Sequence, residues 1–402
     1  MRDLAKRPPH ELTQIIQQFS GALAQRHPMP ARHWATLWAL RDCRTAAMGG
    51  HIDYCVECND VQRFSYNSCR NRHCPKCGAM ERELWIQARK EELLHVAYQH
   101  IVFTIPQQLN TWCRYNTVFC YDLLFTAAWQ TLRTFAADPK YLGARLGATM
   151  VLHTWGQNLS LHPHVHCIVP AGGLDQRQHW KKPTRKAGFL FPVRAMSVVF
   201  KNVYLKAFLA AWALGRLKVP PHTPVGKHAI RQWREERYQQ NWVVYAKAPF
   251  RTPATVVEYL GRYTHKVAIS NHRIIAIDEQ QVTFRYKDYR QKGQQKIMKL
   301  EGSEFLRRFC LHILPHGFRR MRHYGILSNF HKNKALYAAR KDLQQKQPLK
   351  RSKAERKAEL IKQYFGQHKH CPNCGAFDSI LRIPFAPQRE RAPPIFIQGQ
   401  RK

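Results

Sequence analysis

Acidic residues and long apolar stretches are both scarce in this sequence. Its 26 Asp and Glu residues oppose 65 Lys and Arg residues, so the formal net charge is +39 over 402 residues. No stretch approaches the roughly 18 consecutive apolar residues that span a membrane, and residues Met1 to Lys6 lack the apolar segment of a secretion signal. We therefore expect a soluble intracellular protein. The excess of positive charge indicates a polyanionic partner, most simply nucleic acid.

The twelve cysteines include three Cys-x-x-Cys pairs. In a long intracellular chain this spacing indicates metal binding rather than disulfides. The first two pairs are separated by fifteen residues, which is typical of a tetrahedral zinc ribbon. We therefore predict one structural Zn²⁺ held by Cys55, Cys58, Cys74 and Cys77. Three further ligands nearby could complete a second site, replace one of the four or contact DNA: His51, Cys69 and His73.

The third pair, Cys371 and Cys374, is half of a metal site. The other half could come from His368 and His370, or from the spare ligands near the first two pairs, or the segment could be a turn without metal. The other cysteines are scattered, and we expect most of them to be small core residues. They occupy positions 43, 113, 120, 167 and 310.

The pattern of apolar residues predicts a mixed α+β protein in three parts. Residues 1–98 read as helices followed by the zinc ribbon, a DNA-binding domain. Residues 99–330 combine helices with short strands that suit an antiparallel sheet. Residues 331–402 read as a basic tail with the third cysteine pair, since the stretch 331–370 has 12 Lys and Arg residues against 3 acidic residues.

Two histidines flank one apolar residue in the strand-like stretch Leu161–Val169. Because side chains alternate between the faces of a strand, His164 and His166 share one face while Val165, Cys167 and Val169 share the other. Two adjacent imidazoles can bind a divalent metal ion. A His-x-His pattern alone is more often a pair of structural histidines in a half-buried strand.

A pair of tyrosines follows a helix-start signal, Thr252-Pro253. Four residues apart on a helix, Tyr259 and Tyr263 would share one face. The simpler interpretation is an aromatic stripe packed on the sheet. The neighbouring His265 and Lys266 make the surroundings electropositive, which favours a phenolate.

The order of these motifs resembles that of the HUH (His-hydrophobe-His) endonucleases. Their amino-acid sequences resemble those of the insertion-sequence-91 family of two-tyrosine rolling-circle transposases. The resemblance extends from about residue 10 to about residue 330. It is carried by the cysteine pairs and by Phe103–Pro106, His153–Gln157, His162–His166, Tyr259–His265 and the stretch from Phe305 to Leu327.

This resemblance implies an HUH-type antiparallel sheet with the histidine pair on a central strand and the tyrosine helix facing it. It also implies one Mg²⁺ or Mn²⁺ held by His164, His166 and a third polar ligand. Relatives with an upstream ligand place it seven residues before the pair, which predicts Gln157. His153 is the second choice because it lies on the neighbouring strand.

The reaction implied is cleavage and rejoining of single-stranded DNA from the ends of a mobile element and its target. A tyrosine would attack the phosphate and form a 5′-phosphotyrosine, with Tyr259 and Tyr263 serving donor and target strands. Basic residues beside the zinc ribbon and the tyrosines would contact phosphates, and aromatic side chains would stack on bases. These candidates are Arg70, Arg72, Arg262 and Lys266 for phosphates, and Trp155, Trp180, Trp233 and Tyr245 for bases.

Two other functions are compatible with parts of this pattern. A plasmid replication initiator or relaxase would use the same chemistry, but such proteins commonly bring a phosphate-binding Gly-x-x-x-x-Gly-Lys-Ser/Thr loop, and the sequence has none. A zinc-ribbon DNA-binding regulator would need neither the histidines nor the tyrosines. We expect the transposase, located in the bacterial cytoplasm in association with the nucleoid.

Overall fold

The computed structural model describes residues 7–184, 190–223, 226–247, 250, 255–256, 261, 267–291, 293–349, 351–365 and 370–388. The helices in these ranges are α1 Leu12–Arg26, α2 Ala31–Arg41, α3 Ala79–Glu92, α4 Asn110–Tyr115, α5 Thr117–Ala137, α6 Val193–Ala213, α7 Lys227–Gln239, α8 Gly302–Cys310, α9 Lys332–Asp342 and α10 Lys353–Phe365. The strands are β1 Gly50–Cys55, β2 Asp60–Tyr66, β3 Tyr98–Thr104, β4 Gly147–Trp155, β5 Leu161–Pro170, β6 Gly173–Leu174, β7 Trp180–Lys181, β8 Val243–Ala246, β9 Ile274–Ile277, β10 Gln281–Asp288, β11 Gln294–Glu301, β12 Met321–Gly325 and β13 Ile380–Phe385.

A five-stranded antiparallel sheet forms the centre of the structure, with the strand order β12-β4-β5-β3-β8. One of its faces is apolar, because every second residue of β5 points to it: Val165, Cys167 and Val169 are fully buried there. The apolar helices α5 and α6 cover this face through residues such as Phe125 and Phe200. The predicted alternation in β5 is thereby confirmed on its apolar side.

A second core joins the N-terminal helices to a distant part of the chain. Helices α1 and α2 pack with α8 and with the three-stranded sheet β11-β10-β9. The close approach of α1 and α8 depends on Gly302, because a Cβ atom there would lie 2.2 Å from the ring of Phe19. The helical N-terminus is therefore built onto a surface that residues 268–313 supply.

The C-terminal region returns to the N-terminal part of the chain. Strand β1 is the centre of a three-stranded sheet, with β2 on one side and β13 on the other. Helix α10 packs along α3, and Arg351 and Arg356 both form ion pairs with Glu91. The segment expected as a basic tail is thus folded, in its described ranges, into α9, α10 and β13.

The predicted class, a mixture of helices with an antiparallel sheet, is confirmed. Among the described residues, none of the helices is long and apolar enough to cross a membrane. The catalytic candidates Tyr259 and Tyr263 and the phosphate-contact candidates Arg262 and Lys266 lie outside the described residues, as does His368.

Replacing Gly302 with Ala is expected to destabilise the protein by about 1–3 kcal/mol, because the added methyl group overlaps the buried ring of Phe19. The matched control is Gly21→Ala, on the exposed side of α1 with no atom within 4 Å of the new Cβ. That change is expected to stabilise by about 0.5–1 kcal/mol through helix propensity. Thermal and urea unfolding of both variants measures the difference, and equal stabilities would contradict the close packing of α1 on α8.

Candidate functional site

Three imidazoles meet on the face of the central sheet opposite α5 and α6. Strands β4 and β5 place His153 directly across from His164, and His166 lies two residues further along β5 on the same face. One nitrogen atom from each ring lies within 4.8 Å of the others. His153 and His166 are buried and His164 is half-buried, so the group opens towards solvent on one side.

The tautomer of His164 follows from its hydrogen bond. Its Nδ1 lies 2.6 Å from the carbonyl oxygen of His162. Because a carbonyl oxygen can only accept, Nδ1 carries the proton and Nε2 keeps the lone pair that can bind a metal ion. On the neighbouring strand, the ring of Trp155 stacks on His153 at 4.7 Å between centroids, which fixes the plane of that imidazole.

A fourth histidine supports the group from behind. His100 of β3 is buried, its Nε2 lies 2.8 Å from Nδ1 of His166, and the two rings stack at 5.0 Å. Burial lowers the pKa of His100 to about 3, so this imidazole is neutral near pH 7. The bond to Nδ1 turns Nε2 of His166 towards His153, from which it lies 3.0 Å. Outer contacts of this kind orient metal-binding histidines.

The third-ligand prediction named Gln157 first and His153 second. Of these two, His153 lies in the described group of imidazoles with His164 and His166. Gln157 lies in the turn between β4 and β5, where its backbone carbonyl accepts a hydrogen bond from Arg273. A ligand role for the Gln157 side chain stays a prediction.

The described residues around the tyrosine motif pack beside the histidine face. Val256 is fully buried in a cluster with Tyr98 and Ile168. Ile168 follows His166 by two positions on β5 and so shares its face. Gly261, in helical conformation, lies so close to α3 that a Cβ atom would be 2.3 Å from Cδ1 of Ile86.

The cysteines form two groups, and the predicted ribbon of Cys55, Cys58, Cys74 and Cys77 is wrong in its pairing. Each group takes one of the two predicted pairs. The first is Cys43, Cys69, Cys74 and Cys77, and the second is Cys55, Cys58, Cys371 and Cys374.

The physical reason is the β1–β2 hairpin. Cys55 and Cys58 lie at its turn, whereas the loop with Cys74 and Cys77 continues from the other end of β2. Seven extended residues separate these ends by about 20 Å. The spacing rule assumed a flexible loop between the pairs, but the strand β2 occupies seven of its fifteen residues.

The first cysteine group has the electrostatics of a cation site. The Cys43 sulfur accepts hydrogen bonds from Cys69 and Cys74, which lowers the pKa of Cys43 to about 2. The same contact raises the pKa of Cys69, and it raises the pKa of Cys74 to about 12. Four sulfurs at this distance cannot all ionise unless a cation balances them, and zinc bound by four thiolates does so. Cys43, expected to be a core residue, is therefore a candidate zinc ligand.

The spare ligands have other environments. His73 lies outside both groups, and burial lowers its pKa to about 3. His51 has its Nε2 3.8 Å from a carboxylate oxygen of Asp53. His370 precedes the third pair but directs Nδ1 to the carbonyl of Gly375, at 3.1 Å.

The DNA-contact candidates also differ from one another. Arg72 donates to the carbonyl oxygens of Phe318 and Pro315, at 2.6 and 2.9 Å, so its guanidinium tethers two parts of the chain. Arg70 is exposed and adopts a positive φ of 51°. The three candidate tryptophans, Trp155, Trp180 and Trp233, are buried. Their burial argues against stacking on bases.

Tyr245 is the base-stacking candidate that the structure leaves accessible. It is 55% exposed on the edge strand β8. In the sheet register Tyr245 lies opposite Val102, and Val102 lies opposite His166. The exposed phenol ring therefore belongs to the same row of the sheet as a metal-ligand candidate.

Known proteins resemble the chain over most of its length. Residues 15–105 match the family model described as "Transposase zinc-binding domain", and residues 147–335 match the one described as "Putative transposase". The "Putative transposase y4qJ" of Sinorhizobium fredii is 42% identical over 334 residues, 82% of this chain and 83% of that protein. The "Transposase for insertion sequence element IS801" of Pseudomonas savastanoi is 32% identical over 307 residues, 73% of this chain and 70% of that protein. No solved structure matches significantly.

The zinc-binding N-terminal part and the matched central sheet define a transposase, a class of enzyme that acts on DNA. The chain belongs to the insertion-sequence-91 (IS91) family of transposases.

Changing Cys43 to Ser is expected to remove one Zn²⁺ per chain, because it deletes one of four thiolates from the first cysteine group. The test is the zinc content of the purified protein, measured by inductively coupled plasma mass spectrometry. Cys310→Ser is the matched control, since Cys310 is a buried cysteine of the same core and belongs to neither group. Full zinc content in the Cys43 variant would show that Cys43 is not a ligand.

Proposed function

We propose that this transposase cleaves and rejoins single-stranded DNA through a covalent 5′-phosphotyrosine, as in rolling-circle transposition. The observation that carries the proposal is the group of three imidazoles on one open face of the sheet, His153, His164 and His166. A regulator that only binds DNA has no need of such a group, and neither matched relative is named as a regulator.

The donor set suits a divalent metal ion. Each of the three rings can present one nitrogen lone pair, and His100 supplies the outer hydrogen bond that keeps His166 aligned. Of the two ions expected, Mn²⁺ accepts nitrogen ligands more readily than Mg²⁺, which prefers oxygen. The amide oxygen of Gln157 is the natural candidate for an added oxygen ligand. When bound, the ion would polarise the scissile phosphate and balance the charge that grows on its oxygens.

The proposed nucleophiles are the hydroxyl groups of Tyr259 and Tyr263. A tyrosine oxygen forms a bond to phosphorus while the bond from phosphorus to the 3′ oxygen breaks. The proton lost by the phenol ends on the departing 3′-hydroxyl, and the 5′-phosphate stays on the enzyme. The packing of Val256 in one cluster with Ile168 supports this assignment, since Val256 is three residues before Tyr259 and Ile168 shares a face of β5 with His166. Gly261, between the two tyrosines, lies against Ile86 of α3.

Two tyrosines allow strand exchange without an external energy source. One phosphotyrosine conserves the energy of the broken phosphodiester bond, so the reverse attack by a new 3′-hydroxyl rejoins DNA. A second phenol can hold the target strand while the first holds the donor strand. We propose this division of labour for Tyr259 and Tyr263.

Binding of a single strand would combine charge with stacking. The net charge of +39 gives strong, salt-dependent attraction to phosphates. Tyr245 is exposed beside the histidine face and can stack on an unpaired base. Arg70, Arg262 and Lys266 remain the proposed phosphate contacts.

The covalent intermediate is the direct test. Single-stranded oligonucleotides that tile the DNA flanking the gene are incubated with protein and Mn²⁺, and a protein–DNA adduct is sought on denaturing gels. We expect an adduct with the native protein and none with Tyr259→Phe plus Tyr263→Phe. Tyr337→Phe, an exposed tyrosine on α9, is the control and should behave as the native protein does. Full transposition by both single variants would contradict a two-nucleophile scheme.

The Mn²⁺ affinities of single variants distinguish the candidate metal ligands from one another. Calorimetry with Mn²⁺ is expected to show almost no binding for His153→Ala and a smaller loss for Gln157→Ala, because the imidazole belongs to the preformed group. His100→Leu should weaken binding by about 10–100-fold through misorientation of His166. If Gln157→Ala loses more affinity than His153→Ala, the amide is the third ligand.

Loss of the stacking platform should weaken binding without loss of metal. Tyr245→Ala is expected to cost about 1–3 kcal/mol of affinity for single-stranded DNA. Fluorescence anisotropy with a labelled oligonucleotide measures this, with Tyr337→Ala as the control for an exposed tyrosine elsewhere. Unchanged affinity in the Tyr245 variant would place the DNA on another surface.

A further inference from the structure

The second cysteine group joins the two ends of the chain. Cys55 is the last residue of β1 and Cys58 follows the strand, whereas Cys371 and Cys374 precede β13, so more than three hundred residues separate the two pairs. We propose that these four cysteines bind a second structural Zn²⁺, which clasps the C-terminal strand to the N-terminal zinc-binding domain. Neither matched family region reaches Cys371 or Cys374.

The distances between sulfur atoms fit a tetrahedral zinc site. Sγ of Cys55 lies 3.7 Å from Sγ of Cys374, and Sγ of Cys58 lies 3.8 Å from Sγ of Cys371. Zinc–sulfur bonds of about 2.3 Å at tetrahedral angles place neighbouring sulfurs about 3.8 Å apart. A disulfide would need about 2.05 Å, and all four are free thiols.

Both pairs have the backbone of a metal-binding knuckle. The residue after each second cysteine adopts a left-handed conformation: Asn59 has φ 53° and Gly375 has φ 72°. In the C-terminal knuckle the amide of Gly375 donates to the carbonyl of Cys371, which folds the two thiols to one side. Asn and Gly are the residues that adopt this conformation at least cost. The first cysteine group has the same feature, since Gly78 follows Cys77 with φ 92°.

The proposed zinc site would hold strand β13 against β1 more firmly than the hydrogen bonds between the strands alone. Strand β13 pairs with β1 from Gly50↔Phe385 to Cys55↔Ile380, and the cysteine group lies at the Cys55 end. Helix α10 already returns the chain to α3, so the cross-link acts on the segment after α10, where a six-residue edge strand alone would have to hold the chain to β1. A metal ion at one end of the pairing holds the two strands together there, so the remaining hydrogen bonds between β1 and β13 form between segments that are already close.

The two groups should release zinc at different rates. Cys374 is exposed and Cys58 is half-buried, whereas the first group packs into the core of α1, α2 and α8. A chelator therefore reaches the clasp first. A fast phase and a slow phase of zinc release from the native protein are expected, in equal amounts.

Zinc content tests the proposal in the full-length protein. The native chain is expected to carry two Zn²⁺, one for each cysteine group. Cys371→Ser plus Cys374→Ser should carry one and lose the fast phase of release, while Cys310→Ser keeps two. One Zn²⁺ in the native protein, or two in the double variant, would overturn the proposal.

A second measurement covers the case in which the double variant folds poorly. Native protein is loaded with Co²⁺, and the thiolate-to-metal absorption band is followed during titration with chelator. Limited proteolysis at each step, read by mass spectrometry, should show that the segment 370–388 becomes cleavable as the first half of the band disappears. His228→Ala is the control, because His228 is an exposed histidine on α7, outside both cysteine groups, and its removal should leave both signals unchanged. Loss of the first half of the band with no change in cleavage of the segment 370–388 would overturn the proposal that this zinc ion holds the C-terminal strand in place.

Discussion

The pairing of β4 with β5 is the constraint on which the rest of the central structure depends. It fixes the side chains on both faces of the sheet at once, because successive residues of a strand point to opposite faces. On one side Val165 and Cys167 enter the core beneath α5 and α6. On the other side His164 and His166 meet His153. A slip of one residue would bury the imidazoles in an apolar core and expose valines, so packing energy protects the geometry of the candidate metal site.

Much of this geometry could be predicted because it is local in sequence. The two-residue period of β5 requires no knowledge of the fold, and His153 could be proposed because a hairpin brings neighbouring strands together. His100 could not be found in the same way. It lies 66 residues before its partner His166, on a strand whose sequence resembles any other buried strand. Only the order of strands in the sheet, with β3 beside β5, brings the two rings into contact.

The cysteines illustrate the limit of spacing as evidence for a shared site. Each Cys-x-x-Cys pair behaves as a unit in the structure, as expected, because the knuckle is a local turn. The partner of each pair depends on tertiary contacts that spacing does not contain. Cys43 follows α2 without any motif around it, and its neighbours are set by the packing of α1 and α2. The third pair finds its partners through the pairing of β13 with β1.

The described residues thus offer two kinds of candidate metal site, and the chemistry of their ligands differs. Thiolates hold Zn²⁺ in closed sites, with no position left for a substrate. The three imidazoles on the sheet form an open group, and such ligands bind Zn²⁺ more tightly than Mn²⁺ in the usual order of affinities. The identity of the ion there must therefore depend on the geometry of the site and the supply of metal rather than on intrinsic affinity. An added oxygen ligand, from the Gln157 amide or from the phosphate of DNA, would shift that balance towards Mn²⁺, so that binding of the substrate would help to select the ion that acts on it.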